Sequence, residues 1–447
     1  MSTRRTAWLG TAMVLSAGAH LALAYSTPRA HTAQLLGLLL LAFAGYTALL
    51  WARVPLWLGL TVALLLRLLW LPATPALSDD YHRFRWDGLL VVHGFNPFRY
   101  QPRELVAARP PTPLPPALAR ELRALYPALN SPRYYSVYPP VCQAAFAAGA
   151  YLFPTSATGF IWVIRLLLLA AEALTAVLLL RLLSALQLPK TQALWYLLHP
   201  LVIVELTGNL HFEAVVIAGL LAAGALLGRG RWRASAGVLG LAVATKLLPL
   251  VALPLLVRRL GWRRAVGYGL LCGLTTLLLF APFLTPDLLQ HIGQSLGLYF
   301  RTFEFNASLY YLLRALGYLY WGYNKIALIG PGLALLAAVG MLGIAWREKR
   351  PTVATLPGTL LLLLTLYYLM ATVVHPWYLT PLVALSVFTP YRFALVWGAM
   401  AVVSYAAYQF SGYAENPWLL GVEYAVVLLV LVVEQPWRAA LARLAKN

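Results

Sequence analysis

Long apolar runs, separated by short polar segments, follow one another along almost the whole chain. A helix needs about 20 such residues to cross the hydrocarbon core of a membrane. Together the runs predict an all-α, polytopic transmembrane protein with about 11 to 14 membrane segments. The longer runs lie near 7–25, 33–52, 55–71, 160–186, 190–206, 211–227, 264–283, 325–346, 355–374, 392–410 and 418–433, and shorter or proline-interrupted runs lie at 138–153, 234–257 and 376–389.

The composition agrees with this pattern. Of the 447 residues, 61% are hydrophobic and 11% are charged, and the mean hydropathy is +0.73. Soluble globular proteins carry about 45–50% apolar and about 25% charged residues, so a soluble enzyme, a disordered protein and a disulfide scaffold are excluded. The net charge of +20 indicates basic cytoplasmic loops rather than nucleic-acid binding. Cys142 and Cys272 both lie in apolar runs, which leaves no disulfide framework or cysteine metal site.

The distribution of arginine and lysine orients the predicted helices. Because cytoplasmic loops are enriched in these residues, we expect the N-terminus and four basic clusters in the cytoplasm. Loops near 207–212, 284–306, 374–377 and 411–417 then face outward, with the long loop that starts at Pro72. The segment 138–153 leaves the count open, since it is either re-entrant or a full crossing. The basic residues are Arg4 and Arg5 at the N-terminus, Arg229, Arg231 and Arg233, then Arg258, Arg259, Arg263 and Arg264, then Arg347, Lys349 and Arg350, and finally Arg438, Arg443 and Lys446.

Three regions follow from this pattern. Residues 1–71 form N-terminal transmembrane segments, residues 72–137 form a large first outer loop with short amphipathic surface helices, and residues 138–447 form a transmembrane bundle with shorter outer loops. Ala22-Leu23-Ala24 is similar to a signal-peptidase site. Further apolar runs follow it directly, so we expect an uncleaved signal anchor.

The first outer loop carries most of the polar chemistry. Asp79 and Asp80 follow directly on a membrane segment, and Asp80, Phe84 and Asp87 recur at helical spacing. Two adjacent carboxylates raise one another's affinity for a proton, which suits a general base. The alternative is that the pair only caps the helix, since the helix dipole favours carboxylates at an N-terminus.

Other polar residues interrupt the apolar runs. Ionisable groups at membrane depth are candidates for function. The residues Glu205, Asn209, His211 and Glu213 lie between two predicted spans, where they either bind a metal or cap and join helices. Lys246 lies inside an apolar run, which favours an anionic partner such as a phosphate over snorkelling. Glu172 lies within a span, where it either pairs with an arginine or has another structural role.

Two further outer loops add to this set. One contains Arg301 and Asn306, and the other is His375-Pro376-Trp377-Tyr378, whose simpler role is an interfacial aromatic anchor. Carboxylates and cations that meet at the outer boundary of a membrane suit transfer from a lipid-linked phosphate donor to a hydroxyl.

The sequence resembles the GT-C superfamily of integral-membrane glycosyltransferases, and within it the GT87-like mannosyltransferases that use polyprenyl-phosphate mannose. The first block of this resemblance is moderately specific, and the combination of blocks in this order is stronger. The blocks are Ser-Asp-Asp…Arg-Phe-Arg-Trp-Asp-Gly at 78–88, Gly-Phe-Asn-Pro-Phe at 94–98, Tyr-Pro-Pro at 138–140, His-Pro-Leu-Val-Ile-Val-Glu at 199–205, Gly-Asn-Leu-His-Phe-Glu at 208–213, Thr-Lys at 245–246 with Pro249 and Leu253-Pro254, Phe-Asn-Ala-Ser-Leu-Tyr at 305–310 and His-Pro-Trp-Tyr at 375–378.

The resemblance implies an acidic residue in the first outer loop as catalytic base, which falls on Asp80 or Asp79. The acids here are adjacent rather than separated by one residue, and three apolar spans precede the loop where the usual superfamily core has one. Candidate residues for binding the donor phosphate or substrate are Lys246, His211, Arg301, His375, Arg83, Tyr138, Glu205, Asn209, Glu213, Asn306, Trp377 and Tyr378.

The function expected from the resemblance is inverting transfer of a hexose, with mannose the family-based choice, from a polyprenyl-phosphate donor. The acceptor is a hydroxyl of a glycolipid, a lipid-linked glycan or a protein. We expect a multi-pass protein of the bacterial plasma (inner) membrane, surrounded by membrane lipids, with its active site on the extracytoplasmic side. No cofactor is certain, and a divalent metal, magnesium or manganese, stays open. The alternatives are a lipid or glycan transporter (flippase) and an O-antigen-type polymerase or ligase.

Overall fold

The computed structural model describes residues 3–409 and 413–435. Within these ranges the chain is helical, and its β-structure is a single isolated bridge between Phe305 and Val373. The basic cluster Arg438, Arg443 and Lys446 and part of the outer loop predicted at 411–417 lie outside the described residues. The predicted all-α class is confirmed.

The first half of the described chain contains the N-terminal helices, the outer-loop helices and the first part of the bundle. The helices are α1 (Thr3–Tyr25), α2 (Thr32–Trp51), α3 (Leu56–Leu69), α4 (Asp80–Val92), α5 (Pro102–Leu105), α6 (Pro116–Leu125), α7 (Pro140–Leu152), α8 (Ala157–Ala185), α9 (Ala193–Leu197), α10 (Pro200–Val202), α11 (Glu213–Gly228), α12 (Trp232–Val243) and α13 (Leu253–Leu260).

The second half completes the bundle. Its helices are α14 (Trp262–Phe280), α15 (Leu288–Arg301), α16 (Leu309–Trp321), α17 (Ile326–Arg347), α18 (Leu356–Met370), α19 (Thr380–Ser386), α20 (Phe393–Met400) and α21 (Pro417–Glu434). Local sequence explains where several of them begin and end. Ser156 and Asn416 cap the N-termini of α8 and α21 with their side chains, and Gly322 ends α16 in the left-handed conformation (φ 76°).

Membrane-spanning helices form the bundle. Among the described residues, six helices are long and apolar enough to cross a membrane: Arg5–Tyr25, Thr32–Trp51, Ala157–Ala185, Trp262–Phe283, Ile326–Arg347 and Pro417–Glu434. A seventh candidate is the broken pair Pro200–Gly208 and Glu213–Gly228, and four shorter apolar helices are Leu56–Leu69, Trp232–Val243, Leu356–Met370 and Phe393–Tyr408. The protein is therefore a polytopic membrane protein, with fewer full-length spans than apolar runs because several runs are broken.

The predicted arginine partner of Glu172 is Arg67. The two side chains form a bidentate pair inside the bundle, with Arg67 Nη2 2.9 Å from Glu172 Oε1 and Nε 3.0 Å from Oε2. Thr207 also donates to this carboxylate at 2.6 Å. The pair joins α3 to α8.

The sequence left open whether 138–153 is re-entrant or a full crossing, and two contacts place the helix of this segment, α7, relative to α3. Val141 N, at the start of α7, donates to Ala244 O at 3.0 Å. The next helix, α8, places Arg165 at the end of α3, where it donates to Leu71 O at 2.7 Å. Residues 157–164 therefore extend beyond the C-terminal end of α3, so α7 runs away from that end and α8 runs back towards it. With 13 residues, α7 is about 20 Å long, shorter than a span requires.

The helices of the first outer loop form where the sequence predicts them, but α4 is more enclosed than an amphipathic surface helix. Residues 83–90 are all buried. The cause is close packing on α7: a Cβ added at Gly88 would lie 2.3 Å from Phe146 O. The amphipathic helix α6 covers another side of α4, and Arg85 pairs with Glu121 there at 3.1 Å.

Candidate functional site

Three interruptions of the helical bundle lie at one end, which we call the polar end. At the first, the chain bends by 111° between Pro200–Gly208 and Glu213–Gly228. The segment Ile203–Gly208 is a π-helix, a form that is rare and frequent at functional sites. Arg165 binds the carbonyls freed there, donating to Thr207 O at 2.8 Å and Gly208 O at 3.1 Å. The bend is thus stabilised although it leaves helical hydrogen bonds unmade.

The first interruption places three of the predicted residues together. Glu205 is fully buried and accepts hydrogen bonds from the hydroxyl of Tyr405 and from Asn209 Nδ2 (3.1 Å). His211 Nε2 lies 3.3 Å from Glu205 Oε2. Asn209 Oδ1 in turn accepts from Leu77 N at 3.3 Å, which joins the bend to the start of the first outer loop.

The second interruption follows α12 and presents Lys246. Its ammonium group pairs with Glu213 and lies 4.3 Å from the centre of the Tyr378 ring. The anionic partner expected for this lysine is thus supplied within the described residues by Glu213. The Lys246 side chain keeps 35% of its surface exposed, so it also faces the open side of the site.

The third interruption, between α18 and α19, brings the His-Pro-Trp-Tyr motif to the same place. Trp377 is stacked between two imidazoles, with ring centres 3.9 Å from His211 and 4.3 Å from His375. Phe305 lies on the other side of His375 at 4.6 Å, held by its backbone bridge to 372–374. Burial, with a further contribution from Lys246, lowers the pKa of His375 to about 3. The stack is therefore uncharged at His375 near neutral pH.

Asp80 begins α4 beside these interruptions. Its Oδ1 accepts a hydrogen bond from Asn130 Nδ2 at 2.8 Å. Removal of the carboxyl from water raises the pKa of Asp80; the Asn130 hydrogen bond and the charge of Lys246 oppose this rise, and the charges of Asp79 and Glu213 add to it. Asp80 is thus a carboxyl near a cation and other acids, with a raised affinity for a proton.

Asp79 stands at the N-cap position of α4, but its side chain makes no capping hydrogen bond. It pairs instead with Arg29, at 2.9 Å between Oδ2 and Nη2. Arg29 comes from the turn between α1 and α2, and its guanidinium lies 4.6 Å from the centre of the Tyr408 ring. A capping role alone therefore does not account for the acid pair.

The sequence did not identify Arg29, Asn130, Tyr405 or Tyr408. Arg29 alone could have been noticed. If the N-terminus is in the cytoplasm, as expected, Arg29 lies in a short turn on the opposite side, where the usual charge bias of membrane proteins disfavours arginine. Tyr405 lies 200 residues beyond Glu205 and Tyr408 lies 379 residues beyond Arg29, and nothing in their local sequence marks either tyrosine.

The remaining predicted residues lie apart from this cluster or in supporting positions. Arg83 binds Asp87 at 2.9 Å and the carbonyls of Ser131 and Tyr134 at 3.1 and 3.0 Å, which fastens the outer loop to α4. Tyr138 packs edge-on against Phe84, with ring centres 5.0 Å apart.

Asn306 and Arg301 lie outside the cluster at the polar end. Asn306 has a positive φ of 47°, and its side chain donates to Glu423 at 3.1 Å while its backbone N–H donates to Glu415 at 2.6 Å. It therefore fixes the loop before α16 to α21. Arg301, at the end of α15, lines a separate cavity of about 700 Å³ together with Gly297 and Pro331.

The metal alternative at Glu205, His211 and Glu213 gains no geometric support. Across residues 3–409 and 413–435, no group of three or more His, Cys, Asp and Glu side chains is arranged to hold a metal ion. Glu205 and Glu213 are instead engaged by Tyr405 and Lys246.

The fold and the cluster together define a class: a polytopic membrane protein with acids, a lysine and neutral imidazoles gathered at one end of its bundle. Residues 4–261 match the family model of the MptA_B family, described as alpha-(1->6)-mannopyranosyltransferase, N-terminal domain. The match covers more than half of the chain, so the chain belongs to this family. No curated protein matches it.

The family match confirms the expectation of a membrane mannosyltransferase. It includes α1 to α13 and thus Arg29, the two acids at 79–80, the bend around His211, and Lys246. The stack at 375–378 lies beyond the matched residues, and its place in the site rests on the geometry alone.

Proposed function

We propose that the protein transfers a mannosyl group from a polyprenyl-phosphate donor to a hydroxyl of a lipid-linked or glycolipid acceptor, with Asp80 as general base. The observation that carries this proposal is the position of Asp80. It lies at the start of a helix in the outer loop, with a raised pKa, and the charges of Lys246 and Glu213 act on it. This transfer requires a base for the acceptor hydroxyl, a cation for the donor phosphate, and a site at the membrane surface that both substrates can reach.

The placement of charges supports an extracytoplasmic site. The opposite end of the bundle, which we call the basic end, carries the arginine clusters. In α1, Arg5 lies at the basic end and binds Ala52 O at 3.0 Å, whereas Arg29 follows the other end. In α11, Glu213 begins the helix at the polar end and Arg229 follows its last residue. If basic loops stay in the cytoplasm, the polar end faces outward.

The reaction is a single displacement at the anomeric carbon. Asp80 accepts the proton of the acceptor hydroxyl while the hydroxyl oxygen bonds to the anomeric carbon, and the bond from that carbon to the phosphate oxygen breaks. The products are the glycoside and polyprenyl phosphate. A carboxylate close to the sugar also stabilises the oxocarbenium-like transition state electrostatically.

The departing phosphate monoester needs its charge neutralised more than it needs a proton. Lys246 is suited to this because its ammonium group is partly exposed and is held by Glu213 and Tyr378. His375, with its pKa lowered to about 3, contributes hydrogen bonding or packing rather than charge. One displacement inverts the anomeric centre, so an alpha product, as the family description names, requires a beta-linked donor.

The test uses the purified protein in nanodiscs with radiolabelled polyprenyl-phosphate mannose and a membrane lipid extract. Asp80→Asn should reduce turnover about 10²–10⁴-fold, the usual contribution of a general base, and leave the melting temperature unchanged. Glu121→Gln is the matched control, because it removes an acid of the same loop from a partly exposed ion pair. Near wild-type activity in both Asp79→Asn and Asp80→Asn would overturn the assignment of the base.

Two further arms separate the alternatives. Glucose and aminoarabinose donors test the choice of sugar, and labelled alpha- and beta-linked donors test inversion. A block of several sugars in the product would favour the polymerase or ligase alternative. The bent helix at 200–228 is a feature that transporters share, so movement of the donor across vesicles without transfer would favour the flippase.

A further inference from the structure

The turn between α1 and α2 reaches the candidate base through Arg29. Its guanidinium is 2.9 Å from Asp79 and stacks 4.6 Å above the ring of Tyr408. The exposed fractions of the Arg29 and Asp79 side chains are 28% and 41%. A pair this exposed contributes little to the stability of the fold, about 0–1 kcal/mol. We therefore expect the Arg29–Asp79 pair to affect the electrostatic potential at the site rather than the stability of the fold.

The turn that presents Arg29 is held firmly. Tyr25 donates from its hydroxyl to Leu69 O at 2.6 Å, Thr27 donates to Ala22 O at 2.8 Å, and Gln34 donates to Ser26 O at 2.9 Å. Below the turn, α1 and α2 are in close contact, since a Cβ added at Gly45 would lie 2.3 Å from Ser16 Oγ. Arg29 is thus delivered by a fixed hairpin.

Adjacent carboxyls create a chemical problem that a cation solves. If Asp79 and Asp80 both faced the site without a cation, they would titrate as a coupled pair, and the raised proton affinity would belong to the pair rather than to one residue. Arg29 compensates the charge of Asp79. Asp80 has a different environment, with Asn130, Lys246 and Glu213 around it.

We propose that the α1–α2 hairpin completes the active site by supplying Arg29, a positioning residue that holds Asp79 in an ion pair and leaves Asp80 as the single proton acceptor. This inference deepens the proposed function and rests on it. It assigns the three residues to different tasks: Arg29 neutralises, Asp79 anchors the start of α4 to the hairpin, and Asp80 moves the proton.

The charged and titratable groups facing this pair come from several elements. Tyr81 and His82 follow on α4, and the negative charge of Asp79 acts to raise the pKa of each. Tyr408 faces Arg29 from the segment 401–408, and Lys246 and Glu213 face Asp80 from the two other interruptions. None of these groups other than Arg29 is in an ion pair with Asp79 among the residues that the structure describes.

The experiment is a double-mutant cycle read as a pH profile of kcat/KM. For a base, kcat/KM falls tenfold for each pH unit below its pKa. Arg29→Gln leaves the Asp79 charge uncompensated, so the pKa of Asp80 should rise by about one unit, and the acid limb of the profile should move to higher pH by that amount. Activity on that limb should fall about tenfold.

The second half of the cycle gives the decisive readout. Adding Asp79→Asn to Arg29→Gln removes the uncompensated charge and should return the acid limb to within a few tenths of a unit of its wild-type position. Arg29→Lys should keep most of the activity, since a lysine still supplies the charge but lacks the planar stack on Tyr408. Arg53→Gln, an exposed arginine at the basic end of the same hairpin, is the matched control and should leave the profile unchanged.

Three results would overturn the proposal. An unchanged acid limb in Arg29→Gln would show that the pair does not act on the base. A raised KM for the donor that Asp79→Asn fails to restore would assign Arg29 to the donor phosphate. A lower melting temperature with an unmoved limb would make Arg29 structural. Failure of the proposed function is read separately, because it would show as undiminished turnover in Asp80→Asn.

Discussion

The helix α4 contains two carboxyls whose surroundings differ, although Asp80 and Asp87 are only two turns apart. Asp87 is fully buried and accepts hydrogen bonds from Arg83 Nε (2.9 Å), Ser136 Oγ (2.5 Å) and Gln143 Nε2 (3.0 Å). From the part of the chain that the structure describes, Asp80 accepts a side-chain hydrogen bond from Asn130, at one of its two oxygens. A carboxylate with both oxygens held by buried donors serves the fold, whereas one with a less engaged oxygen beside a cation can exchange a proton.

The same contrast holds between the interior of the bundle and its polar end. Arg67 and Glu172 form a bidentate pair at 2–6% exposure, while Lys246 keeps 35% exposure in its pair with Glu213. Buried pairs of this kind persist because removing one partner leaves an uncompensated charge. The partly open pair at the polar end can instead exchange its partner for an anionic group of the substrate.

The largest predicted effect in this comparison is on the free energy of unfolding. We expect Asp87→Ala to destabilise the protein by about 3–5 kcal/mol, because Arg83 would be left buried and unpaired. The measurement is the melting temperature in detergent, with Asp80→Ala as the matched variant on the same helix. Equal melting temperatures for the two variants would contradict the structural role of Asp87.

A second prediction concerns Lys246. Lys246→Gln should lower kcat/KM about 10²-fold, the usual effect of removing one group that stabilises developing negative charge. Lys246→Arg should recover part of this loss, since the charge is kept. The measurement is steady-state kinetics with the lipid-linked donor, and Lys190→Gln at an exposed turn serves as the control. A glutamine variant with unchanged kinetics would mean that another group receives the phosphate.

The sequence predicts much of this arrangement. The apolar runs predict the helices. The ionisable residues that interrupt these runs indicate where the helices break, and the two acids after the third span indicate the candidate base. Glu172 required a partner at membrane depth, and Arg67 supplies it. These features are predictable because a polar group exposed to the bilayer interior is unfavourable. Each polar residue within an apolar run must therefore have a partner or a function nearby.

What the sequence does not predict is which polar residues meet. Arg83 and Asn306 have the same residue types as Arg29 and Asn209 of the site. Arg83 instead fastens the outer loop to α4, and Asn306 joins the loop before α16 to α21. Arg29 and Tyr405 enter the cluster from distant helices. Which residues pair depends on tertiary packing, and hydrophobic periodicity predicts helices but not how they pack together.

The smallest predicted effect tests the single hydrogen bond that distinguishes Asp80 from Asp87. Asn130 donates to the charged carboxylate and so lowers its pKa. Asn130→Ala should raise the pKa of Asp80 by about 0.7 unit, since such a bond contributes about 1 kcal/mol. The acid limb of kcat/KM should move to higher pH by the same amount, with an unchanged plateau. Asn130→Asp should move it further, because a negative charge then replaces the donor; an equal shift in both variants would indicate altered packing instead.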